Sequence, residues 1–178
     1  MPHALFSPLS QNESRFRPYW RMSTPSPSPS HAPRVNYRTA SPLVIPAMRG
    51  LQDAVNRCGL EHSLLELVKL RASQINGCAF CIEMHSREAR AAGERDDRLH
   101  LLNAWEEAGV YTARELAALR WTEALTRLSE GPVSDALFES VRAEFSEEEL
   151  ANLTLAIVAI NGWNRFSVGF RVPPRFAG

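Results

Sequence analysis

Several large protein classes are excluded by what the 178-residue chain lacks. It has no stretch of about 18 apolar residues without a charge, so no transmembrane span is expected. Net charge is also missing, since 20 lysines and arginines offset 20 acidic residues. A protein that coats nucleic acid or an anionic membrane needs a basic excess, so neither partner is expected. Cysteine is scarce and odd in number, at three. That does not suit a secreted disulfide scaffold and points to a reducing compartment, the cytoplasm. Period-two alternation of apolar and polar residues is absent too, which leaves no segment to read as a strand.

The charge that is present is unevenly spread. Residues 1–41 hold five arginines against one acid, Glu13, a local net of +4. Nine of the 12 prolines fall in the first 46 residues, and Ser23 to Pro33 reads STPSPSPSHAP. Alternating proline and serine removes helix donors and offers almost nothing apolar to bury. Residues 1–36 therefore read as a disordered or arm-like extension, and 37–178 as one folded domain. An uninterrupted apolar stretch of about 7–15 residues, the mark of a secretory signal, is not found here. Tyr37 is a candidate to pack as an arm on the body or on a neighbouring subunit.

From Ser41 onward the pattern is helical. Met48, Leu51, Val55 and Cys58 recur at spacings of three and four and predict a first helix ending at Gly59. A second helix spans about Glu61 to Ile75, a third about Cys78 to Gly93, and a fourth about Asp96 to Glu107. Thr112 with Glu115, and Ser146 with Glu149, form two capping boxes that open a fifth helix and the last one. A short helix lies between them from about Ser134 to Ala143. The fold class is all-α, a bundle of six or seven helices. The last helix is apolar on several faces and predicts buried surface, in the bundle centre or between subunits; a subunit interface is favoured. Asn161 and Asn164 sit inside it and need partners, across subunits or at a pocket mouth. Trp105 and Trp121 are read as core and Trp163 as a core or interface residue. Cys58 is read as a small buried hydrophobe, and His62 and His100 as solvated.

The segment from Glu66 to His85 carries the chemistry. Asn76-Gly77 turns the chain so that Cys78 and Cys81 open a helix, where free backbone N–H groups favour a thiolate. Three residues apart, the two sulfurs are near enough to form a disulfide. His85 follows Cys81 by four residues, one turn along the same face, and is placed to take the thiol proton. Glu66 on the preceding helix is the candidate that fixes the imidazole tautomer. Three other readings stay open at this point. Cys78, Cys81 and His85 could ligate zinc with a fourth ligand from Glu66 or another subunit. The pair could be purely structural in a non-catalytic helical protein, or could exchange dithiols and disulfides.

The residues Glu66, Arg71, Ser73, Asn76, Cys78, Cys81 and His85, in the pattern E-x4-R-x-S-x2-N-x-C-x2-C-x3-H, resemble the AhpD-like alkylhydroperoxidases of the carboxymuconolactone decarboxylase superfamily. The likeness runs from about Tyr37 to Phe170, through the YRTASP lead-in and the late INGWNR stretch. It implies a thiol-dependent peroxidase without cofactor or metal. Cys81 would be oxidised by a hydroperoxide, Cys78 would resolve it as a disulfide, and His85 with Glu66 would relay the proton. It further implies a dithiol or protein reductant and a homo-oligomer, with a hexamer built as a trimer of dimers favoured over a dimer or trimer. Well-studied members carry a histidine between the cysteines, where this chain has Phe80. Relatives that decarboxylate carboxymuconolactone lack the cysteine pair.

Overall fold

Ten consecutive residues, Leu64–Ser73, are buried on every side of one helix, α3 (His62–Ile75), and the fold is built around it. The computed structural model describes residues 32–175. In chain order the other elements are α1 (Tyr37–Ala40), α2 (Val44–Asn56), α4 (Ala79–Ala91), α5 (Asp96–Leu101), a 3-10 turn (Leu102–Ala104), α6 (Trp105–Ala108), α7 (Ala113–Thr126), α8 (Asp135–Arg142) and α9 (Glu147–Phe170). No strand occurs among the described residues. The all-α class expected from the sequence therefore holds. Of the extension expected over residues 1–36, residues 1–31 lie outside the described part.

α3 packs against α4, α7 and α9, and α2 lies along α9. Its two broad faces feed two apolar clusters. Leu64, Leu65 and Val68 meet Trp121, Leu153 and Ile157 on one side. Leu67 and Leu70 meet Leu99, Leu102, Trp105 and Leu119 on the other. Each such fully buried leucine contributes about 1.5–3 kcal/mol relative to an exposed one. The last helix, expected to supply buried surface, does so within the chain, though less completely than α3. α9 buries one long face, Leu150 through Ser167, and leaves Val158 and Val168 exposed. The polar residues in α3 explain the difference, because each buried one has a partner: Arg71, for example, is held by Glu123, Gln74 and Asn103.

Both capping boxes form as expected, at Thr112 with Glu115 and at Ser146 with Glu149. The fourth expected helix is instead broken into α5, the 3-10 turn and α6. A 3-10 turn has three residues per turn, so Leu99, Leu102 and Trp105 line up and enter the same cluster. A continuous α-helix would rotate one of them outward. α1 was not anticipated. Asn36 caps it, its side chain accepting from the Arg38 amide at 3.2 Å. Tyr37 stacks on Phe166 and Phe170 of α9, with ring centroids 5.1 and 5.5 Å away, so this residue packs on its own chain. Cys58 falls just beyond α2 and is half-buried against the first cluster. No helix among the described residues is long and apolar enough to cross a membrane.

Candidate active site

The turn between α3 and α4 is set by an amide network that reaches across the bundle. Gly77 adopts φ +64°, a left-handed conformation that an L side chain rarely takes, and reverses the chain. Asn76 donates through Nδ2 to Asn161 Oδ1 at 3.0 Å and Asn164 Oδ1 at 2.9 Å. Asn164 Nδ2 in turn donates to Ser73 Oγ at 3.0 Å, and Asn161 Nδ2 to Thr126 Oγ1 at 3.0 Å. The two asparagines of α9 therefore find their partners within the chain, in Asn76, Ser73 and Thr126, rather than across subunits or at a pocket mouth. Their effect is to fix where Cys78 emerges, and the Cys78 amide closes the turn on Ser73 O at 3.0 Å.

Cys78 is the N-cap of α4 and Cys81 lies in its first turn. The two sulfurs are paired at disulfide distance, with Cα atoms 5.4 Å apart. The backbone donor expected to favour a thiolate serves Cys78, whose sulfur accepts from the Cys81 amide at 3.4 Å. Both cysteines are about 1% exposed and share an apolar cluster with Phe80. Of the two, Cys81 lines a cleft of about 480 Å³ and Cys78 does not. His85 and Glu66 line the same cleft.

Glu66, 2% exposed, projects from α3 toward α4. His85 Nδ1 lies 2.9 Å from its Oε2. Burial alone would raise the Glu66 carboxyl, but the hydrogen bond and charge of His85, with those of Lys69, outweigh it and hold the group at about 2. An ionised carboxylate only accepts, so Nδ1 carries the hydrogen and Nε2 is left for another partner. Burial pulls the His85 pKa down, and hydrogen bonds to Glu66 and to Glu88, whose Oε2 is 3.4 Å away, more than offset it and raise it. The raised basicity of an imidazole one turn beyond Cys81 favours transfer of a thiol proton to its free nitrogen.

The structure thus gathers Glu66, Cys81 and His85 around one cleft, with Cys78 against Cys81 from behind. Residues not singled out from sequence join them. Lys69 Nζ binds Glu66 Oε1 at 2.8 Å, and Glu88 joins His85 from the next turn of α4. The signal for Lys69 was its i+3 spacing from Glu66 on one helix. His62 is exposed as expected, yet its Nε2 comes within 3.8 Å of Glu66 Oε1 and it too lines the cleft. His100 is solvated. Trp105 and Trp121 are core residues, whereas Trp163 borders the cleft and donates to Gln52 Oε1 at 3.3 Å.

Glu66, His85 and Glu88 bring three ligand atoms within 4.8 Å of one another, the spacing of a metal site. The Lys69 ammonium 2.8 Å from Glu66 already supplies the positive charge there. The carboxylate that zinc on the cysteines would need as a fourth ligand is committed to His85 and Lys69. This donor set fits an ion-paired relay better than a metal centre.

The Carboxymuconolactone decarboxylase family model matches residues 42–124, the stretch that includes α2, α3 and α4. YdfG, an uncharacterised protein of Bacillus subtilis (strain 168), is 38% identical over 135 residues, which are 76% of this chain and 92% of that one. The crystal structure of ATU0492, a protein of unknown function from Agrobacterium tumefaciens, is 45% identical with a TM-score of 0.80, covering 82% of this chain and 100% of that one. The alkyl hydroperoxide reductase AhpD of Bradyrhizobium diazoefficiens is 33% identical over 82 residues, 46% of this chain and 39% of that protein. With the all-helical architecture and the Glu66–Cys78–Cys81–His85 arrangement, these similarities make the chain a member of the carboxymuconolactone decarboxylase family, in its AhpD-like branch.

Proposed function

We propose that the protein is a thiol-dependent peroxidase that reduces hydroperoxides at Cys81. One observation carries the reading: Cys81 borders the cleft one helical turn before His85, whose ring is oriented by Glu66 at 2.9 Å. In the reduced protein His85 takes the Cys81 proton. The thiolate attacks the terminal oxygen of a hydroperoxide, an S–O bond forms, the O–O bond breaks, and the alcohol leaves with the proton that His85 returns. Cys78 then attacks the sulfenic acid sulfur, releasing water and forming the Cys78–Cys81 disulfide. A dithiol or protein reductant restores the two thiols. The site acts in a reducing compartment, the cytoplasm, and the folded unit is a homo-oligomer, a hexamer as a trimer of dimers.

The second reading, dithiol–disulfide exchange with incidental peroxide consumption, is favoured by Phe80. It fills the inter-cysteine position with an apolar ring packed on both cysteines. Second-order rates of one preparation with hydroperoxides, and with dithiols and disulfides, separate the two. Fast reaction with at least one hydroperoxide supports the peroxidase. Negligible reaction with every hydroperoxide, beside rapid exchange, supports the alternative.

A further inference from the structure

Lys69 is a buried cation with more donors than partners. It is 8% exposed, and its ammonium carries three N–H groups. Among the described residues its one hydrogen-bond acceptor is Glu66 Oε1, at 2.8 Å. Lys69 nevertheless forms part of the wall of the cleft that Cys81 and His85 line. Two charged donors therefore remain on the wall of the cleft where a hydroperoxide would react, on a side chain that is itself largely buried. Arg38 and Arg49 border the same cleft, but both are exposed and their charge is solvated. Between the cysteines stands Phe80, which can donate nothing.

Resting on the peroxidase reading, we propose that Lys69 is a catalytic residue that donates to the leaving oxygen of the hydroperoxide. As the Cys81 sulfur bonds the terminal oxygen, the O–O electron pair collects on the alkoxide oxygen. The Lys69 N–H stabilises that growing charge, and the proton that neutralises it comes from His85. Sulfur is oxidised by two electrons, the peroxide is reduced by two, and Lys69 ends as it began. A preorganised charged donor in a water-poor site acts where charge develops in the transition state. Glu66 then serves both partners of the step, holding His85 through Oε2 and Lys69 through Oε1.

The test is leaving-group dependence in the full-length, pre-reduced protein. tert-Butyl hydroperoxide expels a strongly basic alkoxide, hydrogen peroxide expels hydroxide, and peracetic acid expels acetate, which needs little stabilisation. Lys69→Met should slow oxidation of Cys81 by about 10–100-fold with tert-butyl hydroperoxide, less with hydrogen peroxide, and by under about 3-fold with peracetic acid. Alkylation of Cys81 by iodoacetamide, which releases no oxygen anion, should change little. Lys69→Gln keeps a neutral hydrogen bond to Glu66 and should show the same ordering, which covers the case in which Lys69→Met does not fold. An equal loss on all three peroxides, or a loss matched by alkylation, overturns the proposal by showing that Lys69 acts through the thiolate alone. A wild-type protein inert to all three peroxides overturns the peroxidase reading itself, so the two failures are distinguishable.

Discussion

Glu66 and His85 come from different helices, nineteen residues apart, and meet at 2.9 Å with the carboxylate 2% and the imidazole 6% exposed. The pair is a buried ionic hydrogen bond, in which removing one partner leaves an uncompensated charge. Its orientation leaves Nε2 as the ring nitrogen free for another partner, the one that the proposed proton transfer from Cys81 requires.

That coupling has a kinetic consequence. Glu66→Gln and His85→Gln should each raise the Cys81 pKa and slow its oxidation by about 100-fold. The double variant should lose less than the product of the singles, with a coupling of about 0.5–3 kcal/mol in a double-mutant cycle. Additive losses would reject a shared role.

Folding stability should depend on pH through the same pair. Glu66 is held at about 2, below its ordinary 4.5, so its stabilisation is complete above 4.5 and is lost as pH falls toward 2. His85 is raised above 6.5, so its stabilisation is complete below 6.5 and is lost as pH climbs through the raised value. Urea midpoints across pH should therefore show the pair's largest contribution between those two ordinary values. Relative to Glu66→Gln/His85→Gln, a wild-type advantage that does not vary with pH would contradict the assignment.

The amide network behind the turn predicts a stability effect far from the cleft. Asn164→Ala removes the bonds to Ser73 and Asn76 and should cost about 1–3 kcal/mol, since buried donors and acceptors are left unpaired. It should also slow closure of the Cys78–Cys81 disulfide after oxidation. An unchanged denaturation midpoint would show that the network does not hold the turn.

Assembly is tested by size. Leu43, Val158 and Val168 are 77%, 53% and 47% exposed in the single chain, apolar surface that a second copy could cover. Light scattering at low micromolar concentration should give a particle near six times the 19.9 kDa chain for a hexamer. A particle of one chain's mass would refute assembly. Deleting residues 1–33 should leave the particle intact.

Much of this arrangement was legible because it rests on short spacings. Cys78, Cys81 and His85 lie on one helix, so separations of three and four residues already fix their common face. The capping boxes at Thr112 and Ser146 were legible for the same reason. Glu66 is a tertiary partner; its place on the preceding helix made it the candidate, and the family pattern includes it. The destinations of Asn161 and Asn164 were not legible, because a polar residue in an apolar helix announces a need without naming the partner, here Asn76 more than 80 residues away. The burial of α3 on every side was not legible, because Arg71 and Lys69 read as polar until Glu123 and Glu66 neutralise them. The break at Leu102–Ala104 follows from packing Trp105, and no proline or glycine marks it.

The central claim, oxidation of Cys81 followed by resolution with Cys78, is tested most directly by intact mass with thiol labelling after one equivalent of hydroperoxide. The wild-type protein should lose two of its three free thiols, Cys78→Ser should accumulate a sulfenic acid on Cys81, and Cys81→Ser should keep its thiols. Peroxide consumption by Cys81→Ser as fast as wild type, or a sulfenic acid trapped on Cys78 instead, would contradict it.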